Sequence, residues 1–191
     1  MTMFEIRWHG RGGQGVVTAA ELLSVAAFRD GFEAQAFPSF GSERMGAPVI
    51  SFCRIADRPI RVREPVIRPD AVLVIDATLL HHVDLFAGLR PGGYVLINSA
   101  RTATELGLDE LLESQPTGHV VTVPATDLAR EHLGRPLPNI CLLGAFAGLT
   151  GMVSAASIES AVRGRFSGAT AEANVRAARA GHATVERIAH A

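Results

Sequence analysis

Gly10-Arg11-Gly12-Gly13-Gln14-Gly15 is the stretch with the clearest capacity for chemistry. Gly10, Gly12 and Gly15 satisfy G-x-G-x-x-G between a predicted strand and a predicted helix, a context that suits phosphate groups on a helix N-terminus. Backbone N–H groups at Gly12, Gly13 and the helix start can hold a pyrophosphate, and Arg11 or Arg44 can add a charged contact. A dinucleotide site also wants a carboxylate at the end of the second strand for the ribose hydroxyls. That end reads Ala36-Phe37-Pro38, and Glu33 lies too early. A different phosphate-bearing ligand and a purely structural tight turn both stay open.

The second informative stretch is Pro38-Ser39-Phe40-Gly41-Ser42-Glu43-Arg44-Met45-Gly46-Ala47-Pro48. It holds too many turn formers for a helix or strand, and it places Ser39, Ser42, Glu43 and Arg44 at the carboxyl edge of the second strand, near the glycine turn. Ligands gather on that edge in open α/β sheets. Asp76 and Asn98, at the ends of two central strands, reach the same edge, with Asp76 read as a helix cap.

Other chemistry is excluded by residue type. All 18 basic residues are arginine, which removes Schiff-base chemistry and a P-loop lysine. Cys53 and Cys141 are the two cysteines, so the four-cysteine sets that hold iron–sulfur clusters cannot be built from this chain. They read as buried apolar thiols. The seven histidines show no metal-ligand spacing, and G-x-S-x-G is absent. A net charge of −1 without a long single-sign run argues against nucleic acid or anionic lipid. The low cysteine count, the lack of a signal-peptide core and the lack of an apolar run of about 18 residues read as cytoplasmic, without membrane contact.

The elements that must position these residues follow from periodicity. Phe4, Ile6 and Trp8 alternate with Glu5, Arg7 and His9, which predicts a half-buried strand. A helix starts at Val16. Its spacing Val16, Ala20, Leu23, Ala27 marks one face, but Leu22, Val25 and Ala26 make the other side apolar too, so part of its cover is expected from another subunit. A second strand spans Phe32 to Phe37. Val49 to Ile55 is β-rich, and Pro59 to Val62 is expected to pair back on it as an antiparallel hairpin annex. Ala71–Asp76 and Gly93–Asn98 are continuous apolar runs, as in central parallel strands. Thr78 to Phe86 forms a short helical connector, and His119 to Val123 a further strand. Thr126 is expected to cap a helix to about Leu133, and Asn139 one to Leu149 whose Gly144 and Gly148 allow close approach. A last amphipathic helix carries Ala171, Val175, Ala178, His182, Val185 and Ile188 on one face, with Glu172 and Arg176 paired on the other. The predicted fold class is Rossmann-like α/β: an open, mostly parallel sheet with helices on both faces and a small antiparallel hairpin annex.

The glycine turn through Val16, together with Gln35 to Val49, resembles the gamma subunit of 2-oxoacid:ferredoxin oxidoreductases, the pyruvate and ketoisovalerate type. Pro69–Asp76 and Asn139–Ala145 extend the likeness to roughly residues 3 to 185, so residues 1–191 are expected to form one gamma-type domain. Met45 departs from the pattern, where a basic or polar residue is expected. The resemblance implies a complex that oxidatively decarboxylates a 2-oxoacid to acyl-CoA, with alpha, beta and delta-type subunits, and with ferredoxin or another acceptor. Thiamine diphosphate with magnesium and the iron–sulfur clusters are implied on those other subunits, and none is held by this chain alone. It further implies that the gamma chain sits beside the thiamine site at the coenzyme A end of the reaction. For that role the candidate ligand residues are Arg11, Gly12, Gly13, Gln14, Ser39, Ser42, Glu43 and Arg44. A stand-alone nucleotide-dependent oxidoreductase and a non-catalytic scaffold are the competing readings.

Overall fold

β1 (Phe4–Arg11) occupies the middle of a six-stranded sheet in the computed structural model, which describes residues 3–39 and 45–189. The other strands are β2 (Glu33–Pro38), β3 (Pro48–Ala56), β4 (Ala71–Val74), β5 (Tyr94–Asn98) and β6 (Val120–Val123), in the order β2-β3-β1-β4-β5-β6. β1, β4, β5 and β6 pair in parallel, while β3 runs antiparallel to both its neighbours, so it alone points the other way. The helices are α1 (Val16–Arg29), α2 (Asp109–Ser114), α3 (Ala125–Leu133), α4 (Asn139–Thr150), α5 (Ala155–Arg165) and α6 (Gly168–Ala189). The expected α/β class holds.

Two apolar layers explain the unbroken hydrophobic runs. Leu73, Leu96 and Val121 face a core shared with α1, α4, α5 and α6, while Val72, Val74, Val95, Ile97 and Val120 face Leu79, Leu85 and Ala103 on the other side. Successive strand residues point to opposite faces, so a strand covered on both must be apolar throughout. Burying each such side chain contributes roughly 1.5–3 kcal/mol.

The half-buried reading of β1 is corrected. Arg7 and His9 are buried along with their apolar neighbours Ile6 and Trp8. Arg7 donates to the Leu85 and Ala87 carbonyls at 2.8 Å each, and its Nε donates to Nε2 of His9 at 3.0 Å. The polar face is thus paid for internally by hydrogen bonds. Burial, and then the Arg7 charge, push the His9 pKa down to about 3, so the ring is neutral in the folded chain. An unfolded histidine protonates near 6.5, so proton uptake below that value favours unfolding until the folded ring titrates near 3. Stability is therefore expected to fall with pH across that window, by up to about 1.4 kcal/mol per pH unit from this group. Urea midpoints for the wild type and His9→Gln between neutral and mildly acid pH check this: the variant should show the shallower slope, and equal slopes would contradict it.

Other local expectations change for identifiable reasons. Pro59–Val62 is not a strand; β3 has β1 on one side and β2 on the other, leaving no edge free, so the hairpin partner is β2. The Thr78–Phe86 connector shortens to a 3-10 turn at Ala77–His81. Pro124 and Pro138, rather than Thr126 and Asn139, stand at the N-caps of α3 and α4. Thr126 is instead gripped by Asn98, whose Nδ2 donates to its hydroxyl at 2.8 Å and whose Oδ1 accepts from its N–H at 3.0 Å. Glu172 pairs with Arg163 of α5, not with Arg176. The second side of α1 is covered largely from within: Leu22 and Ala26 are buried, α5 packs alongside, and Val25 and Phe28 stay exposed. Asp30, just past α1, accepts from the Ser154 N–H and hydroxyl and the Ser157 hydroxyl, fastening α1 to the start of α5.

Candidate functional site

The carboxyl end of β1 leads into the glycine turn and then into α1. Gly15 takes φ +74° at the helix start, and a Cβ there would also lie 2.3 Å from the Asn139 amide nitrogen, so both conformation and space demand glycine. The Asn139 amide donates to the Gly15 carbonyl at 3.3 Å, bringing α4 against the turn. No local signal marks this role of Asn139, because its partner is 124 residues away.

Gln14 and Arg11 brace the turn. Gln14 Oε1 accepts from the Arg11 N–H at 2.7 Å, and its Nε2 donates to Asp76 at 2.8 Å. The Arg11 guanidinium reaches Asp76 at 3.2 Å, the Gly46 carbonyl at 3.1 Å and the Thr78 hydroxyl at 3.0 Å. Asp76 also accepts from the Thr78 N–H and hydroxyl, capping the following turn as expected. Burial works against its charge, but the hydrogen bonds from Thr78 and Gln14 and the Arg11 charge outweigh it and hold the carboxyl below its usual value.

The chain returning from the second motif is stitched to the same turn. The Gly12 N–H donates to the Ala47 carbonyl at 2.9 Å, and the Gly46 N–H to the Gly12 carbonyl at 3.2 Å. Met45, almost wholly exposed, lies over Gly13. Among the described residues, the N–H groups of Gly13, Gly15, Val16 and Val17 have no hydrogen-bond acceptor, and α1 has no side-chain cap. They border an open cleft of about 440 Å3 lined by Arg11, Gly12, Gly13, Gly15, Val16, Val17, Thr18, Met45 and Val49. An uncapped helix start of this kind favours an anion.

Of the eight candidates, Arg11, Gly12, Gly13 and Gln14 therefore come together at one turn. Ser39 is exposed at the end of β2, its N–H on the Ile50 carbonyl, and does not line the cleft. Ser42, Glu43 and Arg44 lie outside the described residues. Asp76, Thr78 and Asn139 complete the arrangement and were not among the candidate ligand residues.

This arrangement defines a class: a Rossmann-like chain with an anion-favouring helix start but, among the described residues, without the strand-end carboxylate of a dinucleotide site. β3 separates β1 from β2, so the end of β2 is not beside the turn, and it carries no carboxylate. Among the described residues no group of three or more His, Cys, Asp or Glu side chains is placed to hold a metal ion.

The sequence matches the pyruvate ferredoxin/flavodoxin oxidoreductase family over residues 5–184, and the chain belongs to that family, as a chain of the gamma-subunit type. It is 49% identical to the pyruvate/ketoisovalerate oxidoreductases common subunit gamma of Thermococcus kodakarensis, covering 92% of this chain and 94% of that one. It is 50% identical to pyruvate synthase subunit PorC of Methanothermobacter marburgensis, over 93% and 94% of the two chains. The crystal structure of pyruvate oxidoreductase subunit PORC from Thermotoga maritima superposes with a TM-score of 0.81 at 36% identity, covering 96% of this chain and 97% of that one. The fold recurs in 2-oxoglutarate:ferredoxin oxidoreductase from Magnetococcus marinus, with a TM-score of 0.78 at 18% identity, where 98% of this chain covers 32% of the longer one.

Proposed function

We propose that this chain works as the gamma subunit of a thiamine-diphosphate-dependent 2-oxoacid:acceptor oxidoreductase and shapes the approach of coenzyme A to the active site. The observation that carries this reading is the row of unspent N–H groups at Gly13, Gly15, Val16 and Val17 over an open cleft. Such a row binds a pyrophosphate without a side-chain charge. Gln14, Arg11 and Asp76 hold the row in place, and Gly12 keys the return of the chain. Arg44 supplies the charged contact, since the Arg11 guanidinium is already engaged.

Thiamine diphosphate with magnesium supplies the carbanion chemistry when bound, and it belongs with the iron–sulfur clusters on alpha, beta and delta-type subunits. Cys53 and Cys141 do not fit a cluster: both are buried, and burial pushes the Cys53 thiol well up and the Cys141 thiol up to about 12, so neither is a ready thiolate ligand. The isolated chain is accordingly expected to be silent, and its complex to act in the cytoplasm with ferredoxin or a similar acceptor. No helix among the described residues is long and apolar enough to cross a membrane.

The test is Arg44→Ala in the assembled complex. Losing one charged phosphate contact, on the order of 1.5–3 kcal/mol, should raise the apparent KM for coenzyme A roughly ten- to hundredfold while the 2-oxoacid KM stays put. Unchanged coenzyme A kinetics with normal assembly would remove the ligand role of Arg44.

A further inference from the structure

The sheet has two ends. At one, Arg11 faces Pro48 and the glycine turn begins; at the other, Phe4 faces Ile55, and the chain leaves β3 for β4. Residues 57–70 make that passage without helix or strand. Its backbone is nonetheless fixed, by guanidinium groups reaching out from the sheet and its flank. Arg54, 1% exposed, donates to the Val62 carbonyl at 3.5 Å and to the Glu64 carbonyl at 2.6 Å. Arg7 reaches the Val66 carbonyl at 3.5 Å and Arg90 the Arg68 carbonyl at 3.0 Å. Alternate carbonyls of the strap, at 62, 64, 66 and 68, are thereby turned inward. Arg54 is itself backed by Glu5 at 2.9 Å and by the Phe37 ring.

The side chains of this strap are spent differently. Val66 is buried and anchors it, whereas Arg61, Val62, Arg63, Glu64, Ile67 and Arg68 are exposed, Ile67 at 74%. Arg61, Arg63 and Arg68 make no ion pair or hydrogen bond through their side chains to any described residue. Between residues 61 and 68, three unpaired arginines stand against one glutamate, and Asp70 beyond them is engaged by Arg90, so this stretch makes a local positive surface on a chain whose net charge is −1. A long connection without regular structure, held rigid while its side chains are left unused, is characteristic of a binding segment. Its arginines flank exposed Ile67 and Val62, the composition of a protein interface rather than of a polyanion track. A pre-fixed backbone also lowers the ordering cost of association.

We propose that this strap is a docking surface for an acidic face of another subunit of the same complex. The inference rests on the gamma-subunit reading. Exposed Ile67 and Val62 between the charges favour a lasting interface over a passing encounter with the electron acceptor. The surface lies at the opposite end of the sheet from the glycine turn, so the chain would touch a partner there without obstructing the cleft.

The experiment is to assemble the chain with its sister subunits as wild type, Arg61→Glu/Arg63→Glu, and Arg61→Ala/Arg63→Ala, comparing thermal melting of the isolated chain and assembly affinity at low and high salt. Because these side chains make no hydrogen bond or ion pair to any described residue, melting should not move. The charge reversal should weaken association roughly tenfold or more at low salt, the alanine pair less, and the difference should shrink at high salt. Association equal to wild type in both variants would overturn the proposal. So would normal association with a raised KM for ferredoxin but not for methyl viologen, which would give the surface to the acceptor. Failure of the wild type to associate with any sister subunit would overturn the gamma-subunit reading, and the strap proposal with it.

Discussion

Gly144→Ala is expected to destabilise the chain severely, and Gly144→Leu to prevent its folding. A Cβ at Gly144 would sit 1.9 Å from the Ala178 carbonyl oxygen and 2.5 Å from its carbon, and these are backbone atoms of α6. The opposing Gly181 has the reciprocal constraint, its Cβ position lying 2.0 Å from the Cys141 carbonyl oxygen of α4. Neither helix can yield by rotating a side chain. They must separate, and residues Asn139 to Ala147 of α4 are all buried. The cost is on the order of 3 kcal/mol or more, a loss of roughly 10 °C in Tm. Gly164→Ala in α5 is the control, since its Cβ would meet only the end of the Arg29 side chain. Removing that glycine from the last turn of α5 should gain a few tenths of a kcal/mol. Chemical denaturation of both variants would show opposite signs, and a Gly144→Ala variant as stable as wild type would contradict the packing described.

Asp76→Ala is expected to disable the glycine turn while leaving the sheet intact. One carboxylate holds Gln14 at 2.8 Å, the Arg11 guanidinium at 3.2 Å and both polar groups of Thr78. Without it, Gln14 loses the contact that keeps its Oε1 on the Arg11 N–H, and the turn is freed on its β4 side. A stability loss of about 2 kcal/mol follows from losing charge-assisted hydrogen bonds that are only partly buried. In the assembled complex the larger effect should be on coenzyme A, with a rise in apparent KM of roughly tenfold or more and little change in the 2-oxoacid KM. Asp76→Asn keeps the shape and part of the hydrogen bonding, so it should fall between. If Asp76→Ala and wild type shared one coenzyme A dependence, the turn would not be what receives that ligand.

The parts legible in the sequence were those whose cause is local. Glycines at fixed spacing made the turn visible, and the apolar runs around Val72 and Leu96 gave away strands covered on both faces. Gly144 and Gly148 announced a close helix approach, which α6 meets. What could not be read depended on distant partners. Arg7 looked outward-facing because the Leu85 and Ala87 carbonyls that accept from it are 78 and 80 residues away. The insertion of β3 between β1 and β2 is a choice of topology, and Pro59–Val62 looked like its partner only because it follows in sequence. Thr126 and Asn139 have the right chemistry for caps, but Asn98 and Gly15 claim them. At the candidate site, Asp76 was visible as a strand-end carboxylate, whereas its hold on Gln14 and Arg11 needed the third dimension.

The most direct measurement is reconstitution: the sister subunits assembled with and without this chain, assayed for 2-oxoacid-driven ferredoxin reduction as coenzyme A is varied. The expected result is saturable coenzyme A dependence only when the chain is present, and no turnover by the chain alone. Turnover by the isolated chain, or the same coenzyme A dependence in a complex lacking it, would contradict the account.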